Sequence, residues 1–427
     1  MKAALLLLLL LTFMAMRIPV VFCMLLSAGF YLLFLSKIPI VVMAQRMGGV
    51  IESFPILAVP LFILAAEFMN RGRSTMRIFQ FASNCVGHFR GSLGHVNVLG
   101  SMIFAGMSGS EIADTAGLGK IEIKAMTEKG YDAEFSAAIT GASSIIGPII
   151  PPSIPMIVYG SIGEQSVGRL FLGGAIPGII VGISLMVLVY FISKRRNYPR
   201  DPFPGMRVLV KSFYESVPTL LLPVIIMGGI MTGVFTPTEA GCIAAVYSFI
   251  LTFLVYRDLP LKEIFPILYD VSLSTAMILI IMGGAAVFSW VITLEQIPVL
   301  FRNLIVSFTS NPWVVLLIIN IILLIEGCFF GEMTILLIMT PMLIPLAKMY
   351  GIDLIHLGVV MVLNLCVGYL TPPFGLGLFI LSDITGLSVE KLTIAITPFY
   401  IPILFVLFLI TYFPILVLFL PNLIMGS

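Results

Sequence analysis

The chain has 427 residues, of which 59% are hydrophobic and only 10% charged, and its formal net charge is +2. Soluble domains carry about 25% charged residues, so a soluble protein of this length would lack the polar residues to cover its surface. The charge balance gives no support for nucleic-acid binding. The mean hydropathy of +1.14 points to a membrane protein. Its continuous apolar runs predict spanning helices rather than the short alternating segments of a β-barrel.

The first residues, MKAALLLLLLLTFMAM, resemble a signal peptide. Arg17-Ile18-Pro19 stands where a small-residue cleavage site belongs, and a second apolar run follows from Val20 to Leu35. The expectation is a retained membrane helix broken near Pro19. Further apolar stretches fall at about 51–70, 96–110, 133–160, 170–193, 213–232, 239–256, 270–294, 312–330, 333–347, 354–382 and 392–421. They predict about ten to twelve spanning elements, some of them interrupted by Pro and Gly.

Basic residues set the orientation. KRRNYPRDPFPGMRVLVK, residues 194 to 211, is the densest basic cluster. It predicts a cytoplasmic linker (194–212) between two membrane halves, 1–193 and 213–427. TGVFTPTEAG carries no Lys or Arg and fits the outside, whereas RDLPLKE fits the inside. Arg71, Arg73, Arg77 and Arg90 suggest an interfacial amphipathic helix whose side the sequence leaves open. Cys23, Cys85, Cys242, Cys328 and Cys366 show no ligand spacing and read as small apolar packers.

The halves repeat one another. GPIIPPSIP, starting at Gly147, is echoed by GYLTPPFGL, starting at Gly368. Gly147, Pro151 and Pro152 pair with Gly368, Pro372 and Pro373 at one offset, 221 (368 − 147). Gly106 and Glu111 pair with Gly327 and Glu332 at the same offset, and SVGRLFLGGAIP (166–177) faces SVEKLTIAITP (388–398). Each half therefore has a Gly-containing break followed by an apolar run interrupted at Gly and Pro-Pro. Proline lacks an N–H and blocks the carbonyl four residues back. Backbone freed in this way is tolerated at membrane depth only against protein or a wet cavity. The pattern predicts an all-α polytopic protein of two repeats with re-entrant hairpins and discontinuous helices whose carbonyls suit cations; inverted topology is the preferred form, the similarity itself leaving the sign open.

These residues resemble a family, the large membrane subunits of tripartite ATP-independent periplasmic (TRAP) transporters. The resemblance rests on FPILAVPLFILAAEFMN (54–70), MSGSEIADTAGLG (107–119), IIPPSIPMIVYG (149–160), GVFTPTEAG (233–241) and GYLTPPFGLGLF (368–379), in family order along the chain. It implies a Na⁺-coupled importer of organic acids (C4-dicarboxylates, sialic acid or other sugar acids) in the bacterial inner membrane. It also implies an elevator mechanism, a separate small membrane subunit and a periplasmic substrate-binding protein. In the second half the family commonly places an acid four positions after the glycine of the turn; here that position is Gly331, and Glu332 follows. A second reading keeps the repeats and cation sites in a stand-alone Na⁺-coupled anion transporter without a binding protein.

The candidate residues gather at the breaks. Ser108, Gly109 and Ser110 form the predicted first hairpin tip, where hydroxyls and carbonyls suit Na⁺, a hard cation that prefers oxygen. Asp114 and Thr115 follow on the next turn, with Asp114 either touching ligand or orienting the tip. Gly147, Pro148, Pro151, Pro152 and Ser153 form the first link, and Gly368, Thr371, Pro372, Pro373 and Gly375 the second. Na⁺ is expected at Ser108, Ser110, Gly147, Gly368 and Thr371. Asn364 either binds substrate or bridges helices. Glu326 is an intramembrane acid and so either a functional candidate or a group held by a helix partner, while Glu67 and Glu239 sit near segment ends, where snorkelling or capping is expected. The basic residues best placed for a substrate carboxylate are Arg46, Lys120, Lys124, Arg169, Arg302 and Lys348, each of which serves equally as an interface anchor, so the sequence singles out none. No GxxxxGK[ST] is present, so ATP is not expected as the energy source. No nucleophile–base or metal constellation suggests an enzyme.

Overall fold

The computed structural model describes residues 2–16 and 18–426. Arg17, part of the expected break, lies outside the described residues. The described residues fold as helices in the order α1 (Lys2–Ala15), α2 (Val20–Phe30), α3 (Val41–Ile51), α4 (Ala58–Arg71), α5 (Ser74–Val86), α6 (Ser92–Ser108), α7 (Glu111–Ala113), α8 (Gly119–Glu128), α9 (Ala133–Ser144), α10 (Ile154–Gly163) and α11 (Val167–Arg196). The second half continues with α12 (Met206–Met231), α13 (Pro237–Phe249), α14 (Ile264–Leu294), α15 (Ile297–Phe308), α16 (Pro312–Gly327), α17 (Glu332–Met349), α18 (Leu354–Leu370), α19 (Leu376–Thr385), α20 (Val389–Tyr412) and α21 (Ile415–Met425). Between the halves, only residues 197–205 are non-helical, a shorter connection than the basic cluster suggested.

Seven helical stretches among the described residues are long and apolar enough to cross a membrane. The expected ten to twelve spans are not met as unbroken helices. The remaining apolar runs are cut into pieces of 10–17 residues, because Gly and Pro-Pro interrupt them where the sequence carries these residues. The stretch 133–160 becomes α9 and α10, and the stretch 354–382 becomes α18 and α19.

Local signals set many of the ends. Thr236 and Glu239 form a capping box at the start of α13, with Pro237 at the first helical position. Ser166 accepts from the Arg169 N–H and caps α11, and Ser388 accepts from the Lys391 N–H and caps α20. The two caps occupy corresponding places in the two repeated segments.

Side-chain contacts divide the bundle into two ends. At one end Arg77 pairs with Asp258 at 2.9 Å and lies over the Tyr256 ring, and Arg71 pairs with Asp270. Lys129 meets Asp201 at 2.7 Å, and Arg196 meets Asp132 at 2.6 Å. The Tyr198 hydroxyl, with Arg196 beside it, holds the Asp132 carboxyl below its usual range. The Gly91 N–H also bonds the Pro199 carbonyl. The three basic stretches, 71–90, 194–211 and 257–263, thus share one end. Helix α5 therefore lies at the same end as the basic connection between the halves.

The opposite end joins Tyr31 to Glu295 at 2.6 Å, Tyr159 to the Leu354 carbonyl at 2.7 Å and Tyr350 to the Thr309 carbonyl at 2.7 Å. Lys2 bonds the Leu35 carbonyl and so lies at this end too. The hairpin of α6, α7 and α8 has its base beside Pro199 and Asp201, whereas the hairpin of α16 and α17 has its base at Thr309 and Tyr350. The two hairpins therefore enter the bundle from opposite ends.

Candidate cation and substrate site

Helix α6 stops at Gly109, which takes a left-handed φ of 62°. Ser110 is extended and caps α7, accepting from the Ala113 N–H. Facing this tip is the link between α9 and α10. Pro151 and Pro152 have no N–H to give to the carbonyls of Gly147 and Pro148. The Ser153 hydroxyl donates to the Pro148 carbonyl and also caps α10 at Met156. The tip and the link touch through backbone: the Ile154 N–H bonds the Gly109 carbonyl at 3.3 Å, and Gly147 lies against Ser110.

The second half repeats this arrangement. Pro372 and Pro373 withhold N–H groups from the carbonyls of Gly368 and Tyr369. The Phe374 N–H bonds the Cys328 carbonyl at 3.2 Å, again joining link to hairpin tip. Gly368 and Gly327 cross so closely that a Cβ on Gly368 would lie 2.6 Å from the Gly327 Cα. Thr371 donates its hydroxyl to the Val367 carbonyl, and its N–H bonds the Gly368 carbonyl. Gly375 follows, its N–H on the Thr371 carbonyl. Both Pro-Pro bonds, Pro151–Pro152 and Pro372–Pro373, are cis.

Between the two tips lie polar groups with few partners. Ser108 Oγ and both Asp114 oxygens are buried and unbonded, as is one oxygen of Glu111. Within the first hairpin, away from its tip, both Glu122 oxygens are also unbonded, one of them packed against Gly100 of α6. Thr115 donates to the Glu111 carbonyl and accepts from the Tyr369 hydroxyl at 3.1 Å, tying the first hairpin to the second link. Glu111 and Glu332, paired in the sequence repeat, meet here with Cys366, their ligand atoms all within 4.8 Å of one another. Apart from Ser108, these unbonded groups are carboxylates, and no ion pair among the described residues includes Glu111, Asp114, Glu122 or Glu332. Buried carboxylates without a partner carry a large desolvation cost. A set of this kind favours cations.

Sequence reasoning placed Ser108–Ser110, Asp114, Thr115, Glu332 and both links in one region, and the structure brings them together. Asn364 lies apart from the tips as a bridge: its amide donates to Asn320 Oδ1 at 2.7 Å, and Asn320 donates to Thr411 Oγ1 at 3.1 Å. This joins α16, α18 and α20. Asn364→Ala leaves the Asn320 oxygen without its donor, and a loss of about 1 kcal/mol of stability is expected. A thermal melt of the detergent-solubilised chain checks it. Glu326 has one buried oxygen without a partner. Three residues were missed. Glu111 carried a signal in its match to Glu332, Glu122 gave none, and Cys366 was taken for an apolar packer. Cys366 is instead a buried neighbour of Glu332, its Sγ 3.6 Å from Oε2.

A cavity of about 380 Å³ lies outside the tips, between α3 and α14 on one side and α10 and α17 on the other. Ser53, Ser161, Ser289 and Thr293 line it with hydroxyls, and Trp290 forms one wall. Ser53 and Ser161 hydrogen-bond across it at 2.9 Å. Arg46 stands at 5.0 Å over the Trp290 ring. The cavity lies toward the end opposite the basic segments, since Thr293 is near the Glu295 terminus of α14.

A family model matches residues 7–416, that of the tripartite ATP-independent periplasmic transporter, DctM component. The chain belongs to this family. It is 42% identical to the sialic acid TRAP transporter large permease protein SiaM of Vibrio cholerae, over 96% of each chain. It is 40% identical to the C4-dicarboxylate TRAP transporter large permease protein DctM of Pseudomonas aeruginosa, over 93% of each. Among solved structures, the Alcanivorax borkumensis YdaH transporter shares the fold, with a TM-score of 0.60 over 87% of each chain and 14% identity. This TRAP large permease is thus a multi-pass transporter subunit of the bacterial inner membrane and not an enzyme. The paired tips and links described above are features of a permease.

Proposed function

We propose that the chain is the transporting subunit of a Na⁺-coupled importer of organic acids. It receives its substrate from a periplasmic binding protein and works beside a small membrane subunit. The observation that carries this reading is the cluster of buried, unpartnered acids between the two tip-and-link pairs. Na⁺ at Ser108, Ser110 and Gly147, and at Gly368 and Thr371, would offset that negative charge. Proline-freed carbonyls supply the oxygen ligands such a cation prefers. The opposed entry of the two hairpins supports an inverted repeat and, with it, an elevator in which tips and links move together past α3, α4, α13 and α14. The Ser53–Ser161 bond across the cavity is a contact that such sliding has to break. Sialic acid and C4-dicarboxylates, the substrates that the names of its relatives carry, are organic acids, which supports the substrate class.

Proteoliposomes holding the permease and its small subunit test the reading. Uptake of a labelled organic acid should require an inward Na⁺ gradient and the cognate binding protein. Full uptake without Na⁺ overturns the coupling. Full uptake from free substrate alone leaves a stand-alone anion transporter.

Arg46 gives a further test. At the rim of a hydroxyl-lined cavity it offers an entering carboxylate a charge-assisted hydrogen bond. Arg46→Gln should raise KM for uptake about tenfold, equivalent to about 1.4 kcal/mol, with little change in kcat. An unchanged KM removes Arg46 from the path.

A further inference from the structure

The contact between the two repeats holds more than the proposed Na⁺ ligands. Glu111 comes from the first hairpin tip, Glu332 from the second, and Cys366 from the helix leading into the second link. Their ligand atoms all lie within 4.8 Å of one another. Glu111 is 2% exposed and Cys366 fully buried. One carboxylate oxygen of Glu111, Oε2, has no hydrogen-bond partner, and Glu332 is half-buried. No Lys, Arg or His forms an ion pair with either acid among the described residues. Two carboxylates this close cannot both stay anionic in a buried site without a cation between them.

The third group decides which cation. Sodium, calcium and magnesium take oxygen ligands and gain nothing from sulfur. Thiolate with carboxylate suits a divalent metal of borderline softness, which accepts both donors at a tetrahedral site. We propose that Glu111, Glu332 and Cys366 form a site for a thiophilic divalent cation, of the Zn²⁺ or Cd²⁺ class, that clamps the two hairpin tips together. Binding displaces the thiol proton of Cys366 and the proton that the two carboxyl groups share without a metal, both of which leave to solvent, and forms one metal–sulfur and two metal–oxygen bonds. Because the ligands come from both repeats, an occupied site fixes the tips relative to each other and stops transport. The inhibition rests on the transport reading above; the binding does not.

Cd²⁺ titration of the purified full-length chain tests the site, read by the ultraviolet thiolate-to-cadmium charge-transfer band. This readout needs neither Na⁺ nor uptake, so it separates failure of the site from failure of the transport reading. The expected result is one band-forming equivalent per chain that Cys366→Ser abolishes, the other four cysteines being intact. Glu111→Gln should keep the band but weaken Cd²⁺ binding roughly 100-fold. In proteoliposomes, micromolar Zn²⁺ should inhibit the wild type reversibly with a chelator. Cys366→Ser should lose the inhibition at whatever uptake rate it retains, read as the ratio of uptake with and without Zn²⁺. A monodisperse size-exclusion profile shows that each variant is folded. No band in the wild type, or an undiminished band in Cys366→Ser, overturns the site. A band whose affinity ignores Glu111→Gln also overturns it, since the acids would then be sharing only a proton.

Discussion

Alanine at Gly109 is expected to cut Na⁺-driven uptake about 100-fold while the permease stays folded and inserted. Two costs meet at this position. Its φ of 62° is left-handed, which costs a side-chain-bearing residue about 1–2 kcal/mol. A Cβ there would also lie 2.4 Å from the Pro152 carbonyl oxygen, 3.1 Å from its carbon and 3.3 Å from the Ser153 Cα. All three atoms are backbone, so no rotamer change relieves the clash. The tip has to back away by on the order of 1 Å, and displacements of that size at a reacting or binding centre cost about two orders of magnitude. Ser108 and Ser110, the proposed Na⁺ ligands, move with it. Gly130 provides the control. Its φ is 84°, yet nothing lies within 4 Å of its added Cβ. Gly130→Ala therefore carries the backbone cost without the clash and should transport almost normally. Equal damage in the two variants would show that backbone strain, and not contact with the link, is at fault.

The breaks were legible because prolines and glycines write them into the sequence. Pro151, Pro152, Pro372 and Pro373 cannot donate to the carbonyls four residues back, whatever surrounds them, and the structure interrupts both helices there. Glu239, expected near a segment end to snorkel or cap, acts within a single turn, where it closes a capping box with Thr236. The side of α5 was not legible. It depends on Asp258 and Asp270, whose link to Arg77 and Arg71 appears only after the chain folds back. Cys366 was misread for a related reason. Its spacing carries no ligand signal, and its place beside Glu332 follows from the close crossing of Gly327 and Gly368, a packing event between distant segments.

The largest loss of Na⁺ dependence is expected when the first link is straightened. Pro151→Ala together with Pro152→Ala restores two N–H groups, placed to reach the carbonyls of Gly147 and Pro148. Each substitution also removes a helix-interior penalty of about 3 kcal/mol. The link can then continue α9 toward α10, and its carbonyls turn inward to satisfy the helix instead of a cation. The Ser153 hydroxyl, which now donates to the Pro148 carbonyl, loses that acceptor to the backbone. The mutant should insert normally, because a regular helix suits the bilayer better than a broken one. Uptake measured against Na⁺ concentration should fall to its Na⁺-independent baseline, with any residual apparent affinity for Na⁺ at least about tenfold weaker, or about 1.4 kcal/mol. Pro372→Ala with Pro373→Ala makes the same demand of the second half, where the restored N–H groups face the carbonyls of Gly368 and Tyr369. If transport needs a cation at each link, this second double variant should also fall to the Na⁺-independent baseline. A full and unchanged Na⁺ response in both would mean that the prolines shape the helices without holding the ion.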